Sequence, residues 1–334
     1  MRLLVLGGGA FVGRAVVEAA LERGDEVTTF TRGVRPLPAG TRHIRGDRIL
    51  PDDVARLAAS APAGGWDAVV DTWAGAPGVV RASATALADV VERYGYVSSR
   101  AVYAPPLGAG LDETHPTVAA ADDDAGLGDA SYGALKRGGE LAVADVLDDR
   151  ALLARCALIV GPGEEPARLP VWLRRAAGGG TLVASGEPDQ PWRLVDVRDL
   201  AAWLLAALSP WSDVRRAVNV AAPEAHATTA SVLDAVVDAT AEDAARTTGA
   251  PARLDWRPWA DLEAAGVNRW EELPGWVPRT PATEGLVSTD VSRAVASGLR
   301  CRPVEVTVRD VWAAMRATSR SGHAAGSGTA GRRS

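Results

Sequence analysis

Leu3-Leu4-Val5-Leu6-Gly7-Gly8-Gly9-Ala10-Phe11-Val12-Gly13 is the stretch that decides the fold. Four consecutive apolar residues closed by glycine read as a strand buried on both faces of a parallel sheet. The pattern then turns helical from Ala10 to Glu22, with Val12, Val16, Ala19 and Ala20 on one face and Arg23-Gly24 as the stop. Glu26 to Thr31 reads as a second strand. Strand, glycine loop, helix and strand in this order make a dinucleotide-binding unit. Gly7 permits the tight turn, Gly9 and Ala10 let the backbone approach a pyrophosphate, and Gly13 lets the helix pack close to the sheet. Phe11 and Val12 open the helix, whose free N–H groups and positive dipole end favour phosphate. Gly7, Gly9, Ala10, Phe11, Val12 and Gly13 are therefore candidate cofactor contacts.

The alternation continues outward. Strands are expected at His43 to Arg45, Ala68 to Asp71, Tyr96 to Ser98 and Leu152 to Val160, with helices at Pro51 to Ala59, Val79 to Arg93 and Ser131 to Leu147. Such alternation implies an α/β protein with a doubly wound parallel sheet, a Rossmann domain. Between Ala104 and Ala130 periodicity vanishes around Pro105-Pro106 and Asp122-Asp123-Asp124, which reads as a long loop, either a solvated insertion or a lid. Beyond Pro162 the chain is rich in tryptophan and broken by Pro and Gly, the texture of a smaller C-terminal substrate-binding lobe. The expected division is 1–165 for the Rossmann domain with 194–222 returning to it, 166–193 and 223–317 for the substrate lobe, and 318–334 as a disordered tail.

The second strand ends Phe30-Thr31-Arg32-Gly33, where an NAD-preferring site carries an acidic residue for the ribose 2′-hydroxyl. Thr31 and Arg32, with Arg35 nearby, instead suit a 2′-phosphate, so NADP is expected over NAD. Further on, Tyr132-Gly133-Ala134-Leu135-Lys136 opens a predicted helix, and residues four apart share a face. A free phenol has a pKa near ~10, too high for a base at neutral pH, and a nearby ammonium favours its ionised form. Tyr132 can then exchange a proton with a substrate oxygen while hydride moves at a nicotinamide. Ser99, in Val97-Ser98-Ser99-Arg100-Ala101-Val102-Tyr103, ends a strand where ligands meet an open α/β sheet; it reads either as a hydrogen-bond donor to the reacting oxygen or as a turn serine.

The bulk properties narrow the class. A net charge of −6 repels nucleic-acid phosphates. Two isolated cysteines, Cys156 and Cys301, suit a reducing cytoplasm rather than a disulfide framework. The apolar run before Gly7 is too short for a membrane span. His43, His115, His226 and His323 show no metal-ligand spacing, so no metal is expected.

Together these motifs resemble the extended, or atypical, short-chain dehydrogenase/reductases, the NAD-dependent epimerase/dehydratase family. The likeness covers nearly the whole chain: the glycine loop, Gly46-Asp47-Arg48, Val69-Val70-Asp71-Thr72, the serine strand end, the Tyr-Lys motif, Ile159-Val160-Gly161-Pro162-Gly163, Val195-Asp196-Val197-Arg198-Asp199-Leu200-Ala201 and Gly298-Leu299-Arg300-Cys301-Arg302-Pro303. The resemblance implies Ser99, Tyr132 and Lys136 as catalytic residues, Asp47 and Arg48 beside the adenine, and Asp71, Thr72 and Trp73 along the cofactor. Arg100, Trp192 and Arg193 are substrate candidates. Departures are Ala10 for the usual middle glycine, Leu135 for a serine, Cys156 for a proline, and Arg100-Ala101 where sugar-nucleotide dehydratases place Asp-Glu, which removes the acid/base pair for elimination. The expected activity is hydride transfer to or from a small-molecule carbonyl or alcohol. The alternatives are an epimerase that returns the hydride to the same substrate, and an RNA-binding module on the same fold, as in chloroplast stem-loop binding proteins. Family members often form homodimers.

Overall fold

The computed structural model describes residues 1–164 and 168–326, the last eight of these by backbone alone. It resolves into two compact units. The first comprises residues 1–159, 193–223 and 280–301. Its sheet uses β1 (Arg2–Leu6), β2 (Glu26–Thr31), β3 (Arg42–Arg45), β4 (Trp66–Asp71), β5 (Val91–Ser99), β6 (Ala151–Cys156) and β10 (Arg216–Val220). They lie in the order β10-β6-β5-β4-β1-β2-β3, and every adjacent pair is parallel. Helices α1 (Phe11–Glu22), α2 (Pro51–Ala59), α3 (Pro77–Leu87), α4 (Tyr132–Leu147) and α6 (Val197–Ala207) cover its faces.

Strand periodicity sorts the core. Leu3 and Val5 point to one face, packed with Val16, Ala20, Trp203 and Leu204 of α1 and α6. Leu4 and Leu6 point to the other, packed with Leu57, Val80, Leu87 and Val143 of α2, α3 and α4. The chain runs outward from β1 to β3, then returns to lay β4 on the other side of β1. That reversal is where the crevice at the carboxyl edge of an open sheet holds a ligand. Leu6 stands opposite Phe30 on one side and Asp71 on the other, so the loops after β1, β2 and β4 converge there.

Three expectations are corrected. The helix expected to Arg93 stops at Leu87, and β5 begins at Val91, which pairs with Trp66 of β4. No Gly or Pro marks that change; the burial of Val91, Arg93 and Tyr94 against the sheet sets it. The strand expected from Leu152 to Val160 breaks after Cys156, and β7 (Leu158–Val160) leads out of the unit before β9 (Leu194–Asp196) leads back. Segment 280–301, expected in the substrate lobe, belongs to the first unit. Its short helices α10 (Glu284–Val287) and α11 (Ser292–Ala296) bring Ala294 and Leu299 into the α6 cluster, and the Trp203 indole donates to Ser297 Oγ at 3.0 Å.

The 104–130 segment has no helix or strand but is pinned along its length. Ala104 N–H donates to Pro116 O and Val118 N–H to Val102 O, Gly78 N–H donates to Asp123 O, and Ala121 N–H to Ala134 O of α4. Leu111 is fully buried with Val102 and Tyr103.

The second unit comprises 160–192, 224–279 and the chain from Arg302 onward. β8 (Thr181–Ser185) and β11 (Arg253–Arg257) form a two-stranded parallel sheet, with α5 (Leu169–Ala177), α7 (Thr229–Thr248), α8 (Trp259–Ala264) and α9 (Arg269–Glu272) around it. The final helix, α12 (Val304–Gly326), continues past Thr318, where composition predicts a tail; 327–334 lie outside the described residues. Among the described residues no helix is long and apolar enough to cross a membrane.

Trp203 on α6 is 2% exposed. Trp203→Ala should cost about 3–5 kcal/mol by denaturant unfolding, and a loss below about 1 kcal/mol would contradict this account of segment 280–301.

Candidate functional site

At the carboxyl edge of the sheet the glycine loop shows why its residues must be small. Gly7 has φ +104°, and a Cβ there would lie 2.6 Å from Thr72 Oγ1. A Cβ on Gly13 would lie 2.2 Å from Gly7 O, so α1 starts in direct contact with the turn below it. A cleft of ≈450 Å³ opens over this loop. Gly7, Gly9 and Ala10 form one wall, Thr31, Arg32 and Arg35 a second, and Asp47, Arg48, Thr72 and Trp73 a third. Phe11 and Val12 are not on the wall; they pack on the core beneath, as Gly13 packs under Gly7.

Arg48 and Asp71, both expected beside the cofactor, bond to each other. Arg48 Nη1 and Nη2 donate to the two Asp71 oxygens at 2.6 and 2.7 Å, both side chains being buried. Burial alone would push the Asp71 carboxyl up, but Arg48, with the Trp73 N–H and the Tyr94 hydroxyl, outweighs it and holds the group below the usual carboxylate range. Arg48 also lies under the Trp73 ring, 5.3 Å from its centroid. Asp71 thus sits behind the cleft wall as an anchor, while Arg48 reaches its edge.

Thr31 is held from β3: its hydroxyl lies 3.0 Å from His43 Nε2 and accepts from the Gly33 N–H at 3.2 Å. Arg32 is exposed, and no carboxylate among the described residues pairs with it.

Helix α4 carries the second constellation. The Ser131 hydroxyl caps it by accepting from Ala134 N–H, which fixes where Tyr132 emerges. Tyr132 is 45% exposed at the open end, while Lys136, one turn on, is buried. The Lys136 ammonium donates to Val97 O at 2.7 Å and Trp73 O at 2.5 Å, lies 4.6 Å from the Tyr96 ring centroid and 5.9 Å from that of Tyr132. Burial pulls its pKa down to about 8, against the attraction of Asp71. Such close approach needs a bare helix face: a Cβ on Gly139 would lie 2.4 Å from the Tyr96 hydroxyl, and one on Gly133 would lie 2.1 Å from Ala101 O.

Ser99 ends β5 opposite Cys156 of β6 and accepts from Ala101 N–H with its hydroxyl at 3.2 Å, leaving its own proton to donate. Arg100 turns toward segment 280–301, donating to Leu286 O and Thr289 Oγ1. Arg193 is buried and donates to Thr289 O. Trp192, read from the sequence as a substrate candidate, is instead built into the second unit: buried, its indole donates to Gly275 O and packs edge-on against Trp172 at 6.2 Å.

Sequence reasoning missed the polar network behind α4. Glu140, four residues past Lys136, accepts from Ser98 Oγ at 2.7 Å and from Arg155 Nε and Nη2 at 2.8 and 2.9 Å. Arg155 in turn lies 4.9 Å from the Tyr103 ring centroid. Glu140 follows Lys136 at the same four-residue spacing by which Lys136 follows Tyr132, and that was the available signal.

Asp71→Ala leaves a buried guanidinium unpaired and should cost about 3–5 kcal/mol at neutral pH, whereas Asp71→Leu combined with Arg48→Met should restore most of it. Because the Asp71 pKa is lowered in the fold, this contribution is present above the ordinary carboxylate range and disappears as pH falls through the depressed value. A single variant as stable as the parent would contradict the anchor.

The sequence pattern of the NAD dependent epimerase/dehydratase family matches residues 3–221. The chain is 30% identical over 230 residues to 2-alkyl-3-oxoalkanoate reductase of Stenotrophomonas maltophilia, a match covering 63% of this chain and 67% of that protein. It is 31% identical over 222 residues to 2′-dehydrokanamycin reductase of Streptomyces kanamyceticus, covering 63% of this chain and 58% of that one. In fold it is similar to the Bordetella bronchiseptica enzyme WbmH in complex with NAD+, with TM-score 0.68, 18% identity, and 94% and 97% of the two chains covered. With the matched span carrying both the glycine loop and the Tyr132-Lys136 helix, the chain belongs to the NAD dependent epimerase/dehydratase family of enzymes.

Proposed function

We propose that this enzyme is an NADP(H)-dependent reductase that converts a small-molecule carbonyl to an alcohol, with Tyr132, Ser99 and Lys136 at the reacting oxygen. The observation that carries the reading is the buried Lys136 ammonium, clamped by two strand-end carbonyls directly beneath an exposed tyrosine. The residues fit a dinucleotide: the cradle of Gly7 and Gly13 admits no Cβ, and the cleft runs from the loop to Trp73. Bound there, the nicotinamide supplies a hydride to the carbonyl carbon. Tyr132 gives the carbonyl oxygen its phenolic proton, Ser99 donates a hydrogen bond to the same oxygen, and Lys136 stabilises the resulting phenolate. Hydride and proton together complete the alcohol. The two curated relatives are both named as reductases, which favours this reading over epimerisation.

The preference for the 2′-phosphate rests on Thr31-Arg32 at the end of β2, where no carboxylate stands, with Arg35 on the same wall. NADPH should bind at least about tenfold more tightly than NADH, and Arg32→Glu should erase the difference. Equal affinities in the parent would overturn it.

Tyr132→Phe should abolish turnover while leaving cofactor affinity nearly unchanged. Since the Lys136 pKa lies at about 8, the ammonium is present below that value and lost above it. The pH profile of kcat/KM, which reports the free enzyme, should therefore fall through a limb near pH 8. A profile flat to pH 10 would contradict the role of Lys136.

A further inference from the structure

Two buried guanidiniums near the sheet edge each grip a carboxylate. Arg48 grips Asp71, and Arg155 grips Glu140 through its side-on fork of Nε and Nη2. Arg100, half-buried, has no such partner. Its Nη1 donates to Leu286 O and Thr289 Oγ1, its Nε is shielded from solvent without a hydrogen bond, and its Nη2 makes none within the protein. Among the described residues no carboxylate lies within ion-pair distance of it, and the charged group that acts on it most is a second cation, Arg193. Burial and that neighbour lower the Arg100 pKa to about 9. Arg93 also lacks a carboxylate, but it lies at the opposite end of β5 and both its terminal nitrogens reach carbonyls, of Ser212 and Val214. A half-buried guanidinium without an anion is incompletely compensated, and an unbonded Nη2 can donate to a carboxylate oxygen.

The location adds the chemistry. Arg100 directly follows Ser99, and its turn touches the first turn of α4, where Gly133 meets Ala101 O. The Cys156 thiol, opposite Ser99 in the register, lies within electrostatic range of both Lys136 and Arg100. The guanidinium therefore stands on the same side of the sheet edge as the groups assigned to the reacting oxygen. We infer that the substrate carries a carboxylate close to its reacting carbonyl, as in a 3-oxo acid, and that Arg100 Nη2 holds it. This rests on the reductase reading above, whose Ser99 and Tyr132 fix where the carbonyl sits. Arg100 thereby selects acids over neutral ketones and orients the carbonyl toward Tyr132.

The test compares 3-oxohexanoate with its methyl ester as substrates, in the parent, in Arg100→Met and in Arg100→Lys, with NADPH affinity as the control for folding. The parent should favour the acid in kcat/KM by about 10- to 100-fold, the worth of a charge-assisted hydrogen bond. Arg100→Met should bring the acid-to-ester ratio near one, and Arg100→Lys should keep part of it. A ratio near one in the parent, or a ratio unchanged in Arg100→Met, overturns the inference. Should neither compound react, the reductase reading is at fault, and thermal shift with malonate in the presence of NADP+ tests the site alone. Stabilisation of the parent but not of Arg100→Met supports the carboxylate site. Equal shifts in both proteins overturn it, as does an Arg100-dependent shift larger with inorganic phosphate than with malonate.

Discussion

An ammonium group removed from water and held by two main-chain carbonyls organises the candidate site. Lys136 donates to Val97 O near the end of β5 and to Trp73 O just past the end of β4, so one side chain joins α4 to two neighbouring strands. Neither acceptor carries a full charge, which leaves the desolvation of the ammonium only partly offset and lowers its pKa. The Tyr96 ring face below adds a weaker attraction. A cation bound by neutral carbonyls keeps its full charge for the phenol above it, whereas a lysine paired with a carboxylate would be neutralised.

The rest of the first unit supports that arrangement. Parallel strands bring their carboxyl ends to one edge, and the reversal between β1 and β4 opens the crevice there. The glycines of α4 let the helix approach β5 closely enough for the ammonium to reach the carbonyls. Two buried ion pairs, Arg48–Asp71 and Arg155–Glu140, stand near the lysine, whose charge is acted on by Asp71, Arg48 and Glu140. Each is fully hydrogen-bonded, the condition under which a buried pair fixes geometry rather than weakening the fold. Arg100, half-buried next to Ser99, makes no such pair.

Much of this was legible in the sequence where the physics is local. The turn at Gly7, the start of α4 at Ser131 and the shared face of Tyr132 and Lys136 each depend on residues within one or two turns of each other. What was not legible depends on partners far along the chain. Arg48 and Asp71 both read as cofactor neighbours, yet they neutralise each other across 23 positions. Trp192 read as a substrate candidate, but its N–H is taken by Gly275. Segment 280–301 carries only short helices, and its place is set by Trp203 and Ser297 rather than by its own pattern. The start of β5 was hidden because no Gly or Pro separates it from α3, and only pairing with Trp66 defines it.

The central claim is electrostatic and can be measured at a single nucleus. Lys136 is the single lysine of the sequence, so selective isotope labelling of lysine would follow its side-chain nitrogen or Cε shift by NMR across pH 6 to 11, a range chosen to bracket the free-lysine value near ~10.4. The account predicts a midpoint near pH 8. A midpoint at the ordinary lysine value would mean that the ammonium is solvated or paired with a carboxylate, and the site as described would not exist.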